Sequence, residues 1–138
     1  MRVLAAGVFD LIHPGHVLFL EKAKRLGDEL VVIVSRDETA KKNKRPPVIP
    51  EKQRLEVVEA LKPVDKAMLG DPDDLMGLLP KLKPDIIALG FDQDVDEGWL
   101  EEELERLGME TRVVRLKDSL KGNLYSTRRI IDKIKKGA

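Results

Sequence analysis

Residues 29–35 read ELVVIVS, and the run from Leu30 to Val34 holds no polar residue. A strand with one wet face alternates apolar and polar residues. A short unbroken apolar run instead marks a strand buried on both faces, the habit of parallel sheets. Such a sheet needs helices above and below it, and the flanking sequence supplies them in alternation. RVLAA at 2–6 predicts a first strand. Residues 14–26 predict a helix with Val17, Leu20, Ala23 and Lys24 or Leu26 at helical spacing, closed by Gly27 as a C-terminal cap. The basic stretch 36–50, with its paired prolines, reads as a long loop. Helices follow at 50–62, opened by Pro50, at 72–83, at 97–107 ending at Gly108, and at 126–136 with Ser126 as N-cap. Strands are expected at 64–69, 85–90 and 110–116.

Five strands separated by helices predict an α/β fold over residues 1–138: a single Rossmann-like three-layer domain, with a five-stranded parallel sheet and helices on both faces. A chain of 138 residues suits one domain with one core. Ligands of such folds bind beyond the carboxyl ends of the strands, where strand order reverses. Gly7 and Gly90 each end a strand and lead into a Phe-Asp pair, so adjacent first and fourth strands would flank one crevice.

The chemistry is concentrated after the first strand. Gly7, Val8, Phe9 and Asp10 lead to His13, Pro14, Gly15 and His16, and those two histidines are the only ones in the chain. Pro14 suits the first position of a helix, and Gly15 allows close approach to the backbone. Open first-turn amides and the positive helix end would form an anion site. Two imidazoles there would donate hydrogen bonds to phosphate oxygens as charge builds in a transition state. A histidine at a helix start is also an ordinary cap, and a pair spaced i, i+3 also suits a metal, although only Asp10 is near as a further ligand. There is neither a GxxxxGK[ST] loop nor a GxGxxG turn. The absence of cysteine removes disulfides, thiolate catalysis and cysteine-type zinc sites. Lys plus Arg (25) balance Asp plus Glu (25), so charge gives no reason to expect nucleic acid or an anionic membrane as partner. No apolar run is long enough to cross a bilayer, and MRVLAAGVFD lacks a secretory pattern, so a cytoplasmic protein is expected.

The segment GVFDLIHPGH resembles the HxGH signature of the cytidylyltransferase-like nucleotidylyltransferases. AKRLGDELVVIVSRDE, IPEKQRLEVVEALKPVDKAMLG, PDIIALGFDQ and LYSTRRI are similar to later segments of the same family. The resemblance implies a reaction in which the phosphate of an acceptor attacks the α-phosphate of a nucleoside triphosphate and pyrophosphate leaves. Catalysis is then positioning plus charge stabilisation, and magnesium or another divalent cation travels with the triphosphate.

Carried over onto matching positions, the resemblance makes His13, His16 and Lys44 catalytic. It makes Gly7, Val8, Phe9, Pro14, Gly15, Asp92, Tyr125, Ser126 and Thr127 nucleotide-binding together with the histidines, and Asp10, Asp37 and Lys41 acceptor-binding. No resident metal site is implied. Lys42 and Arg45 are further candidates for gripping phosphate, Ser126 also suits a plain N-cap, and Asp10 and Asp37 equally suit loop caps. Within the family the chain looks most like the archaeal-type FAD synthases, which join ATP and FMN. Phe9, Phe91, Trp99 or Tyr125 would offer a stacking face for the isoalloxazine ring. The alternatives are a glycerol-3-phosphate cytidylyltransferase using CTP and a nucleotide-binding regulator without turnover. The run of Lys117, Lys121, Gly122 and Asn123 departs from the Arg-Thr-Glu-Gly of the glycerol-phosphate type. A homodimer is implied by the family.

Overall fold

The computed structural model describes residues 1–43, 45–71, 75–91, 93–116 and 126–137. Its frame is a parallel sheet of five strands: β1 (Arg2–Gly7), β2 (Glu29–Val34), β3 (Lys66–Leu69), β4 (Ile86–Leu89) and β5 (Arg112–Arg115). Their order is β3-β2-β1-β4-β5. The central strand β1 pairs with β2 from Arg2↔Glu29 to Gly7↔Val34, and with β4 from Val3↔Ile86 to Ala5↔Ala88.

The apolar run that predicted double burial is buried on both faces. Leu30, Val32 and Val34 join Val3, Ala5, Ile86 and Ala88 on one side, under α1 (Pro14–Arg25) and α3 (Glu51–Glu59). Leu20 and Ala23 of α1 and Val58 of α3 close that layer, each 0% exposed. Val31 and Ile33 join Leu4, Ile87 and Leu89 on the other side, under Leu79 and Leu82 of α4 (Leu79–Leu82) and Leu100 and Leu104 of α5 (Glu97–Arg106). The period-two alternation of a strand is present, with both phases apolar.

Three expectations are corrected. The stretch 36–50 is not all loop: α2 (Asp37–Asn43) occupies its first half. Asp37 and Glu38 in its first turn suit the positive helix end, yet among its described side chains only Ala40 is buried, so no apolar stripe announces the helix. The helix expected over 72–83 is a 3-10 turn (Leu75–Leu78) followed by α4, because Pro80 cannot donate within a helix and sits at a new helical start. Gly27 does not cap α1 through a left-handed backbone. A Cβ there would lie 2.5 Å from the Met1 carbonyl oxygen, so the glycine allows two backbone segments to touch. Gly108 is the left-handed cap, at φ 72°. There the Gly108 amide bonds the Glu105 carbonyl and the Met109 amide reaches back to Leu104, closing α5 in a Schellman motif.

A final helix, α6 (Thr127–Lys135), has no buried residue.

Candidate active site

Strand order reverses at β1. The chain steps outward through β2 and β3, then returns to lay β4 on the other edge of β1. The crevice between the carboxyl ends of β1 and β4 is therefore the place where such a sheet receives ligands.

The turn leaving β1 is held in an uncommon backbone shape. Phe9 has φ 52°, in the left-handed region that non-glycine residues seldom occupy. Its ring packs back over Gly7, where a Cβ would lie 2.9 Å from the ring, and only 3% of Phe9 is exposed. The same ring meets that of His16, with centroids 5.5 Å apart.

His13 is the N-cap of α1, and the histidines cap the helix reciprocally. His13 Nδ1 accepts from the Gly15 amide at 3.1 Å, and His16 Nδ1 accepts from the His13 amide at 3.3 Å. The ring centroids are 3.9 Å apart. This is a capping box with imidazoles in place of the usual hydroxyl and carboxylate. It has two chemical consequences. The first-turn amides are engaged: Pro14 has none, Gly15 bonds His13 Nδ1, and His16 bonds the His13 carbonyl at 3.0 Å. The expected open-amide anion site is thus not formed, because these amides already have partners. Moreover, a neutral ring that accepts at Nδ1 carries its proton on Nε2, so the cap selects the tautomer that presents an Nε2–H donor on each histidine.

A second helix start lies beside this one. Thr127, the first residue of α6, donates from Oγ1 to the carbonyl of Leu11 at 3.3 Å, and Leu11 stands just before the histidines in the β1–α1 connection. Ser126 is the N-cap of α6, its Oγ accepting from the Arg129 amide at 3.1 Å. Ser126 and Thr127 are thereby brought to the connection that carries the histidine pair.

The other side of the crevice is organised by Arg54, which is 0% exposed. Its Nη1 donates to the Val8 carbonyl at 2.7 Å, its Nε to the Ile49 carbonyl at 2.8 Å, and its Nη2 to Asp37 Oδ1 at 2.7 Å. One guanidinium thus ties together the β1 turn, the segment before α3 and the start of α2. Asp10, expected at the acceptor, is turned inward, its side chain 2% exposed. It accepts from the amides of Val48 and Ile49 at 2.9 and 2.8 Å and from Arg45 at 3.2 Å. Asp37 is half exposed beside Arg54. Its amide donates to Glu51, whose carboxyl is held below the usual range by that hydrogen bond and by Arg36. Lys41 lies exposed on α2. Lys44, Asp92 and Tyr125, and the run around Lys117, Lys121, Gly122 and Asn123, fall outside the described residues.

On the β4 side, Gln93 bridges the two strand ends. Its Oε1 accepts from the Gly90 amide at 2.7 Å, and its Nε2 donates to the Ala6 carbonyl at 2.9 Å. Arg115 of β5 donates to the carbonyls of Gly90, Gln93 and Val95 and pairs with Glu97. Arg54, Gln93 and Arg115 were not singled out from the sequence. For Arg54 a signal existed: it lies one helical turn before buried Val58, on the apolar face of its helix.

Comparison with known proteins agrees with this geometry. The Cytidylyltransferase-like family model matches residues 4–133. The FAD synthase of Archaeoglobus profundus is 56% identical over 134 residues, spanning 97% of this chain and 86% of the relative. That of Ferroglobus placidus is 54% identical, spanning 96% and 87%. Among solved structures, a lipopolysaccharide core biosynthesis protein from Thermoplasma volcanium superposes with a TM-score of 0.85 at 45% identity, covering 88% of this chain and 98% of that one. A reversed strand order with a histidine-capped helix at the switch point, and a family match over almost every residue, lead to one conclusion: the chain belongs to the cytidylyltransferase-like family.

Proposed function

We propose that the chain is an FAD synthase, a nucleotidylyltransferase that joins ATP to FMN and releases pyrophosphate. Relatives of that name share more than half of its residues over nearly its whole length. Within the chain, the observation that carries the reading is the reciprocal cap: two imidazoles, 3.9 Å apart, at a helix start beside the crevice. In the reaction, an oxygen of the FMN phosphate attacks the α-phosphorus of ATP. A new P–O bond forms, the bond from the α-phosphorus to the α,β-bridging oxygen breaks, and its electron pair leaves with pyrophosphate. The attacking phosphate is already ionised, so no general base is required. His13 and His16 donate Nε2–H to the α-phosphate oxygens, whose charge grows in the transition state.

Gly7, Val8, Phe9, Pro14 and Gly15 line the nucleotide in this reading, and the family resemblance adds Asp92 and Tyr125 as nucleotide-binding residues. Ser126 and Thr127 hold phosphates at the head of α6, Lys41 grips them from α2, and the family resemblance adds Lys44 as a catalytic residue. Asp37 faces the acceptor, and Asp10 acts through the segment it holds. Magnesium arrives with ATP and draws charge from its phosphates. Among the described residues no three His, Asp or Glu side chains gather into a metal cage. An ion held mainly by substrate phosphates and water needs none. Among the described residues no helix is long and apolar enough to cross a membrane. A cytoplasmic homodimer is the expected state, which light scattering on the purified protein checks.

The deciding experiment is pyrophosphate release with magnesium, crossing ATP and CTP against FMN, glycerol 3-phosphate and a sugar-phosphate panel. Turnover with ATP and FMN is expected. The name of the Thermoplasma volcanium relative makes a sugar phosphate the competing acceptor, and turnover there without FMN activity would overturn the reading. Turnover with CTP and glycerol 3-phosphate would overturn it equally. Nucleotide binding with silence across the grid would leave a regulator.

A further inference from the structure

Gly90 and Phe91 leave β4 at the crevice, and residues 93–96 follow in the described chain. Loops in this position usually move, and the described residues of this one are held at Gly90, Gln93 and Val95 by two side chains. Arg115 reaches three of its carbonyls, Gly90 and Gln93 from Nη1 at 2.9 and 2.7 Å and Val95 from Nη2 at 2.5 Å, while its Nε pairs with Glu97 at 2.8 Å. Gln93 fastens the same loop to β1 through the Ala6 carbonyl and to the Gly90 amide. Between these anchors stands Phe91, 54% exposed. A lone exposed phenyl is ordinary on a protein surface. This one is presented by a braced loop, at the end of the strand that flanks β1. The chain has only three phenylalanines, one tryptophan and one tyrosine. Phe9 is buried, Phe19 lies within α1 and packs against the core, Trp99 lies within α5, and Tyr125 falls outside the described residues.

We propose that Phe91 is the stacking platform for a planar heteroaromatic ring of the substrates, with Arg115 and Gln93 as positioning residues that hold it in place. The inference rests on the FAD synthase reading, because both substrates of that reaction carry such a ring. Adenine and isoalloxazine offer the same stacking chemistry, and direct binding separates them. An aromatic platform of this kind favours the rigid loop, since a ring already in place loses little freedom when a ligand stacks on it.

The test uses Phe91→Ala, Phe91→Trp and Arg115→Lys in the full chain. FMN binding is read from quenching of flavin fluorescence. Binding of the non-reacting analogue α,β-methylene-ATP is read by calorimetry, and steady-state kinetics and thermal midpoints accompany both. Phe91→Ala is expected to weaken one ligand about tenfold, the scale of one base–aromatic stack. The other ligand stays within about twofold. Phe91→Trp restores the affinity. Arg115→Lys, which supplies a point charge in place of a planar fork, weakens the same ligand and not the other. Loss confined to the analogue assigns the platform to adenine, and loss confined to FMN assigns it to the flavin. Phe91→Ala with both affinities unchanged overturns the proposal, as does equal weakening of both without rescue by tryptophan. The two readings fail separately. A wild-type chain that makes FAD while Phe91→Ala binds both ligands normally removes the platform and keeps the function. A wild-type chain silent with FMN, whose Phe91→Ala variant loses the analogue and whose tryptophan variant regains it, does the opposite.

Discussion

The two ends of the sheet use charged side chains in opposite ways. At the amino end, Asp28, Asp65 and Asp85 each stand immediately before a strand. Asp65 and Asp85 accept from the amides of Leu30 and Arg2, while Asp28 pairs with the amino terminus and Asp65 with Lys24. These groups are wet: the Asp28 side chain is 90% exposed and that of Asp65 43%. At the carboxyl end, Arg54 is 0% exposed and the Asp10 side chain 2%. Their partners are mostly backbone atoms of the segments around the crevice. Exposed pairs are worth little in water, whereas a buried charge stripped of one partner is costly. Buried polar groups are thus placed where a loop shape must persist, and the opposite end is closed by interchangeable surface pairs.

The strongest way to break this contrast is Arg54→Met. It leaves two carbonyls without their donor and half-exposed Asp37 without its partner, and a loss of about 2–5 kcal/mol is expected by denaturant titration. A loss below about 1 kcal/mol would place Arg54 with the surface pairs. His16→Ala sharpens the contrast by separating chemistry from stability. Turnover is expected to fall about 10²–10³-fold, the scale of one lost oxyanion donor. The half of the cap that is lost should cost only about 1 kcal/mol, as read by turnover assays beside unfolding curves. Gly7→Ala drives a methyl into the buried Phe9 ring, 2.9 Å away. A destabilisation of about 1–3 kcal/mol is expected in thermal unfolding, with weaker nucleotide binding.

The smallest effects lie at the amino end and in acid. The Asp28 carboxyl is held below its ordinary value by its hydrogen bond from the amino terminus, and that of Asp65 by Lys24 and then the Leu30 amide. At the carboxyl end, Glu51 is lowered by the Asp37 amide and then Arg36. A carboxyl lowered in the folded state stabilises above its unfolded pKa and loses that contribution as pH falls through the folded one. Stability should therefore be flat at neutral pH and decline below about pH 4, near the ordinary carboxylate values. Glu51→Gln should flatten that decline more than Asp28→Asn, which should leave the neutral-pH midpoint unchanged. The reverse order in unfolding curves across pH 2–7 would undo the contrast.

The sheet was legible because burial on both faces writes an unbroken apolar run at 30–34, and the helices because Leu20 and Ala23, or Leu100 and Leu104, repeat at helical spacing. α2 was not, since seven residues with one buried alanine carry no period. The histidine pair was legible because the residue type is rare in this chain and the flanking Pro14 and Gly15 mark a helix start. Arg54, Gln93 and Arg115 escaped because most of their partners are backbone atoms. A carbonyl is the same at every position, so a side chain that reaches one far along the chain leaves no trace in residue order. The sequence left Asp10 open between the acceptor and a loop cap for the same reason, its main partners being the amides of Val48 and Ile49.

The bond from Thr127 to the Leu11 carbonyl joins positions 116 apart in the chain. Its consequence concerns the order of assembly during synthesis. β1 is made first, yet its second neighbour, β4, is made only after β2 and β3. When β4 docks, the sheet has its switch point and the histidines have their helix, but the head of α6 is still to come. A nascent chain released only as far as α5 holds four of the five strands, and its histidine connection still lacks the Thr127 partner. The frame is therefore delivered first, and the tie between α6 and the histidine connection is added after it.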